Sequence, residues 1–153
     1  MTIAPEHERA LAAVARIMTA ARDRWWVIGS MAVALHGADP GDIADIDVLT
    51  SERDGRAALA AAGLASRHDD PHDRFASRLF ARWEAPPVPV EFMAGLRVRS
   101  NGGWHEVALS TRQRIAIGST EVFVPETGEL IALLELFGRP KDAERIRALR
   151  RMG

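Results

Sequence analysis

The chain reads as an α+β (mixed α/β) protein, a mixed β-sheet flanked by helices with a helical C-terminus. Helical and strand periodicities alternate over the first sixty residues, strands dominate the middle, and two helical stretches close the chain. With 153 residues, 47% of them apolar and 27% charged, it is long enough to bury one sizeable core. It is expected to form a single domain over 1–153, with C-terminal helices of about 125–150 packed on it.

The elements follow in order. Leu11, Val14, Ala15, Met18 and Ala21 recur at helical spacing from Pro5 to about Asp23. Pro5 suits a first helical turn, and Glu6 and Glu8 sit near the positive end of the helix dipole. Trp25 to Ile28 reads as a short buried strand whose two tryptophans face opposite ways. Gly29-Ser30 breaks it, and Met31 to Leu35 forms a short helix ending near His36-Gly37. Ala38 to Asp42 is a turn cluster. Ile43 to Leu49 alternates as a strand with one polar face. Thr50 or Ser51 caps a helix with Arg53 to Ala62 as its body and Gly63 as its stop. Phe75 to Trp83 and Val88 to Met93 read as two strands, and Asn101-Gly102-Gly103 as a hairpin turn between two more. Thr111 to Ile117 and Glu121 to Val124 pair around Gly118-Ser119. Helices from about Pro125 to Phe137 and Pro140 to Arg150 finish the chain, with Gly138 between them. All of these are expected to pack on one mixed sheet.

Composition narrows the function classes. A formal net charge of −1 argues against a binder that holds nucleic acid by bulk electrostatics. The absence of cysteine rules out disulfides, thiolate metal sites and cysteine nucleophiles. No apolar run approaches the roughly 18 residues of a membrane span, and the acidic start Met1 to Glu6 lacks the layout of a signal peptide. A cytoplasmic location is expected, and the alanine and arginine richness suggests a bacterial source.

The chemistry concentrates in Ala44-Asp45-Ile46-Asp47-Val48. Residues i and i+2 of a strand share a face about 6.5–7 Å apart, so Asp45 and Asp47 project together. Two such charges suit a hard divalent cation, and two metals roughly 3.5–4 Å apart can clamp the oxygens of a phosphoryl or nucleotidyl transfer. The competing reading is the solvent face of an edge strand. Gly29-Ser30, between strand and helix, offers free amides and a hydroxyl to a phosphate, or is an ordinary turn. A third carboxylate, Glu91, lies in the later apolar run.

These residues together resemble the nucleotidyltransferase superfamily typified by DNA polymerase beta, and its small bacterial members most of all. The matching segments are Ile28-Gly29-Ser30, Asp45-Ile46-Asp47-Val48 and Val90-Glu91-Phe92-Met93, with a similar tail in Glu129 to Leu133 and Gly138 to Asp142. The resemblance implies that Asp45 and Asp47 bind both metals, Mg²⁺ or Mn²⁺. It implies that Glu91 binds the catalytic metal and helps activate the acceptor hydroxyl. Gly29 and Ser30, with nearby amides, hold a nucleoside triphosphate, for which ATP is expected. The sequence departs from the pattern at Gly41 to Ala44, where a basic or hydroxyl residue is common and Asp42 adds negative charge. It departs again in having Glu rather than Asp as the third acid.

Other residues invite reading. If Phe75 to Trp83 is one strand, Arg74, Arg78 and Arg82 line one face, and Arg78 is the expected nucleotide contact; a solvated face is the alternative. Lys141-Asp142 is expected to pair and lock the last helix to the sheet. His68, Asp69, Asp70, His72 and Asp73 match no closed zinc spacing and read as a polar loop.

The expected function is thus transfer of a nucleoside monophosphate from a triphosphate to an acceptor hydroxyl, releasing pyrophosphate. A protein, a tRNA end or a small hydroxylated compound would be the acceptor. The alternative is a non-catalytic nucleotide- or partner-binding module on the same scaffold, in a homo-oligomer or beside a partner as in toxin–antitoxin pairs.

Overall fold

The computed structural model describes residues 3–67 and 74–152. The His68 to Asp73 segment lies outside them. Helix α1, Pro5–Ile17, starts at its proline and buries Ala10, Leu11 and Val14. The expected helix to Asp23 stops early, with only a 3₁₀ turn over Met18–Ala20. The reason is a competing partner for the backbone. The buried Asp54 carboxylate accepts the amides of Arg22 at 3.0 Å and Asp23 at 2.8 Å, drawing the chain out of the helix and into strand β1, Trp26–Ile28. Trp25 is buried edge-on against Phe123 at 5.3 Å between ring centroids, whereas Trp26 donates its indole N–H to the Thr111 carbonyl.

Helix α2, Gly29–Leu35, follows β1 without a loop and is apolar and buried from Met31 to Leu35. Strand β2, Ile46–Leu49, is shorter than expected, leaving Asp45 one residue ahead of it. Helix α3, Glu52–Ala62, is capped by the Ser51 hydroxyl, which accepts the Asp54 amide, and Gly63 ends it.

The single strand expected over Phe75 to Trp83 is two. Strand β3, Phe75–Ala76, and strand β4, Leu79–Trp83, join different sheets, with Ser77 and Arg78 making the switch. Strand β5, Val90–Ala94, lies between β2 and β4, giving a mixed four-stranded sheet of order β1-β2-β5-β4. Only β2 and β5 are parallel in it.

Strands β6, Arg97–Ser100, and β7, Gly103–Glu106, form a hairpin that pairs with β3. Its two-residue turn, Asn101-Gly102, has φ of +53° and +79°, the type I′ geometry that matches strand twist. Strands β8, Gln113–Ile117, and β9, Thr120–Val124, form a third sheet. The expectation of one sheet is therefore corrected: a mixed sheet forms, and five further strands divide between two small antiparallel ones. Helices α4, Thr127–Phe137, and α5, Pro140–Met152, close the chain around Gly138. Among the described residues no helix is long and apolar enough to cross a membrane.

One carboxylate ties the closing helices to the segment before β8. Glu129, in the first turn of α4, accepts the amides and hydroxyls of Ser110 and Thr111 at 2.6–3.2 Å. Burial alone would push its carboxyl up, but these four hydrogen bonds hold it below its ordinary value of 4.5. A depressed carboxylate contributes stability that is full above the ordinary value and drains as pH falls through the lowered one. Glu129→Ala is expected to cost about 2 kcal/mol at pH 7, since hydrogen bonds to a charged group are involved. In urea titrations the gap to wild type should narrow as the pH is taken below 4.5; a gap independent of pH would refute this account.

Candidate active site

The sheet register builds the site. Asp47 lies opposite Ile28 on β1 and beside Glu91 on β5, and Glu91 lies opposite Arg82 on β4. Laterally paired residues share a face, and neighbouring strands are about 4.8 Å apart. Asp47, Glu91 and Arg82 therefore form one row, and Asp45, two residues before Asp47, joins it. Meanwhile Ile46, Val48, Val90 and Phe92 point the other way and are fully buried. The apolar half of each strand fixes where the carboxylates go.

One carboxylate oxygen from each of Asp45, Asp47 and Glu91 lies within 4.8 Å of the other two, and all three residues are half-buried. Burial, then the charges of Asp45 and Glu91 and a hydrogen bond with Glu91, push the Asp47 carboxyl well above the usual carboxylate range. Arg139 offsets this in part. Three convergent oxygens at this spacing fit a hard divalent cation with open positions for phosphate or water. The donor set suits magnesium or manganese chemistry and contains none of the soft ligands that select zinc or copper.

Gly29 is part of the same construction. It has φ of +69°, and a Cβ added there would stand 3.0 Å from Asp47 Oδ2. Only glycine combines that backbone with so close an approach to the carboxylate. Gly29→Ala is expected to cost about 1–2 kcal/mol in backbone strain and to push Asp47 out of the row, which a thermal melt and a metal titration would read together. Unchanged metal binding would count against the packing role. Ser30, half-buried, is the next residue of α2.

Beside the carboxylates lies a cleft of about 350 Å³. Asp47 and Glu91 line one side, Phe75, Phe80 and Phe137 line the apolar side, and Arg67 and Arg139 supply positive charge. The Arg139 guanidinium sits 5.2 Å and 5.4 Å from the Phe75 and Phe137 ring centroids.

The arginine row expected from an unbroken strand does not form. Arg74 donates to the Phe137 carbonyl, and Arg78 pairs with Glu52 at 3.5 Å, exposed and outside the cleft. Arg78 stands next to Leu79, whose partner is Ala94, whereas Glu91 lies three residues further along β5. Arg82 is the arginine at the carboxylates, with Nη1 2.8 Å from Glu91 and 3.4 Å from Asp45. The sheet switch at Ser77-Arg78 broke the alternation on which the row depended.

Asp142 does lock the last helix, but not through Lys141, which is exposed and makes no ion pair among the described residues. Asp142 is fully buried, accepts from the Arg139 amide and guanidinium, and lies 3.6 Å from Arg145. Arg145 in turn donates to the Pro40 and Asp42 carbonyls, fastening the loop ahead of Asp45. Asp42 lines a separate groove with Lys141 and Arg147 and is not among the residues that line the cleft of Asp47 and Glu91. Of the expected arginine row only Arg82 reaches the carboxylates, while Arg67 and Arg139 line the cleft without having been singled out in the sequence. Arg139 carried a signal, its three-residue spacing from Asp142 at a helix start. Arg67 carried none.

At the level of sequence no family model and no curated protein matches. The likeness is structural. A provisionally assigned nucleotidyltransferase from Thermotoga maritima superposes with a TM-score of 0.73 at 24% identity, over 99% of this chain and 97% of that one. The structure of ANT(2'')-Ia in complex with adenylyl-2''-tobramycin gives 0.55 at 14% identity, over 94% and 90%. The solution structure of the antibiotic-resistance factor ANT(2'')-Ia gives 0.54 at 15% identity, over 94% and 84%. These superpositions show that the chain has a nucleotidyltransferase fold.

Proposed function

We propose that the protein is a metal-dependent nucleotidyltransferase that moves a nucleoside monophosphate from a triphosphate to an acceptor hydroxyl. The observation that carries this reading is the convergence of Asp45, Asp47 and Glu91 within 4.8 Å on the edge of a cleft in this fold. The acceptor oxygen bonds to the α-phosphorus, the bond from that phosphorus to the bridging oxygen breaks, and pyrophosphate leaves with that electron pair. A bound divalent cation, Mg²⁺ or Mn²⁺, supplies charge neutralisation at the phosphates and lowers the pKa of the attacking hydroxyl.

The chain's own residues do the rest. Asp45, Asp47 and Glu91 would hold the cation, and Glu91 would accept the hydroxyl proton. Gly29, which stands against Asp47, and the next residue Ser30 would hold the triphosphate, and Arg139 is a cation lining the cleft. The aromatic side of the cleft suits a planar base, with ATP the expected donor. The acceptor class stays as broad as a protein, an RNA end or a small hydroxylated compound.

A second reading has its own observation. Arg82 already neutralises part of the carboxylate cluster, as a non-catalytic nucleotide- or partner-binding module would require. Melting the protein with each nucleoside triphosphate, with and without Mg²⁺ or Mn²⁺, separates the two. A ligand at 100 times its dissociation constant adds roughly 2.7 kcal/mol. An enzyme site should show that gain only with metal present. A nucleotide effect indifferent to metal favours the binding module, and no effect with any nucleotide refutes the proposal.

A further inference from the structure

We propose that Arg82 is a built-in counter-cation of the carboxylate cluster, which a divalent cation must displace, and that Glu84 retains the guanidinium once it is displaced. The inference rests on reading the cluster as a metal site. Each hydrogen bond of the Arg82 side chain goes to a carboxylate: Nη1 to Glu91 Oε2 at 2.8 Å and Asp45 Oδ2 at 3.4 Å, and Nε to Glu84 Oε1 at 2.7 Å. The two groups of partners differ in setting. The Asp45 and Glu91 side chains are 28% and 21% exposed, whereas Glu84 is 71% exposed. The guanidinium therefore bridges the cluster and a solvent-facing anchor two residues on, just past the end of β4.

A guanidinium is rigid, planar and always charged, so it cannot be neutralised to make room. Its Nη1 and an incoming cation compete for the same two carboxylates, Asp45 and Glu91, and like charges at that separation repel strongly in a half-buried site. The Nε bond to Glu84 is separate from that competition. Nη1 can leave the cluster while the Nε–Glu84 contact persists. Arg82 offsets the charge of Asp45 and Glu91 in the metal-free cluster, and metal alone binds weakly. Loading is favoured when a triphosphate arrives with the cation and adds its own oxygens and negative charge. Arg82 thus couples metal entry to nucleotide entry.

The test is Mn²⁺ affinity of the full chain without nucleotide, read by calorimetry or by the electron paramagnetic resonance of free Mn²⁺. Arg82→Met is expected to bind Mn²⁺ about tenfold tighter than wild type, the direction set by removing a nearby like charge. Arg82→Gln, which keeps a polar side chain, should do the same and serves if the methionine variant does not fold. Arg82→Lys and the charge-matched control Arg78→Met should stay near wild type, and Glu84→Gln should bind more weakly. A merely structural Arg82 would lower the melting temperature with no gain in affinity. Wild-type binding that is lost in Asp47→Asn but not tightened by Arg82→Met or Arg82→Gln overturns the proposal and leaves the metal site standing. No Mn²⁺ binding by any form overturns both.

Discussion

Asp47→Asn is expected to abolish the metal-dependent part of nucleotide binding and to lower transfer by roughly a thousandfold, while making the metal-free protein more stable. The two effects have one cause. Asp47 sits beside Glu91 in the row and is packed against Gly29. Burial, Asp45 and Glu91 hold its carboxyl well above the ordinary 3.8. A carboxyl whose folded pKa is raised contributes stability that is full below its unfolded value and lost as pH rises through the folded one. Without metal the protein therefore weakens as pH climbs above 3.8, and asparagine, which carries no charge, does not. The expected signature is a variant that melts higher than wild type at pH 8, with the difference shrinking at pH 5. Saturating Mg²⁺ and nucleotide should reverse the order, since only wild type gains. A variant less stable than wild type across the whole range would mean that Asp47 is held by favourable contacts instead of strained against its neighbours.

Much of this site was legible in the sequence because it depends on local rules. The period of two in Asp45-Ile46-Asp47-Val48 put both carboxylates on one face, and the structure buries Ile46 and Val48 completely. Gly29 was legible as a break between strand and helix, although its contact with Asp47 was not. Strand register carries the remainder, and register depends on packing between segments distant in the chain. Nothing local says that Arg82 faces Glu91, or that the chain changes sheets at Ser77-Arg78 and sends Arg78 to Glu52. The Asp54 capture of the Arg22 and Asp23 amides was hidden for the same reason, being a contact across some thirty residues. Short-range periodicity predicts elements well, while side-chain partners across elements escape it.

Asp142→Ala is expected to have the largest effect on stability, a loss of about 3–5 kcal/mol out of a margin that is usually about 5–15 kcal/mol. The side chain is fully buried and serves several groups at once. It reaches back to the Arg139 amide at the start of α5, as an acidic residue in a first helical turn can, and it grips the Arg139 guanidinium at 2.7 Å and 3.1 Å. Arg145, 3.6 Å away and itself 8% exposed, is the second cation. Removing the carboxylate leaves the buried Arg145 and the half-buried Arg139 without their anion, the costly half of a broken buried ion pair. Asp142→Asn keeps the shape and some hydrogen bonds, so its loss should be intermediate. Lys141→Ala, which touches no buried anion, should stay within about 0.5 kcal/mol of wild type. Urea unfolding of the three variants orders these effects. If Lys141→Ala proved as costly as Asp142→Ala, the lock would run through the lysine. The same contacts lead to the candidate site, because Arg145 fastens Pro40 and Asp42 ahead of Asp45 while Arg139 lines the cleft. Asp142→Asn, folded but loosened, should therefore also weaken nucleotide-dependent stabilisation, which a variant damaged only in the distant α1 would not.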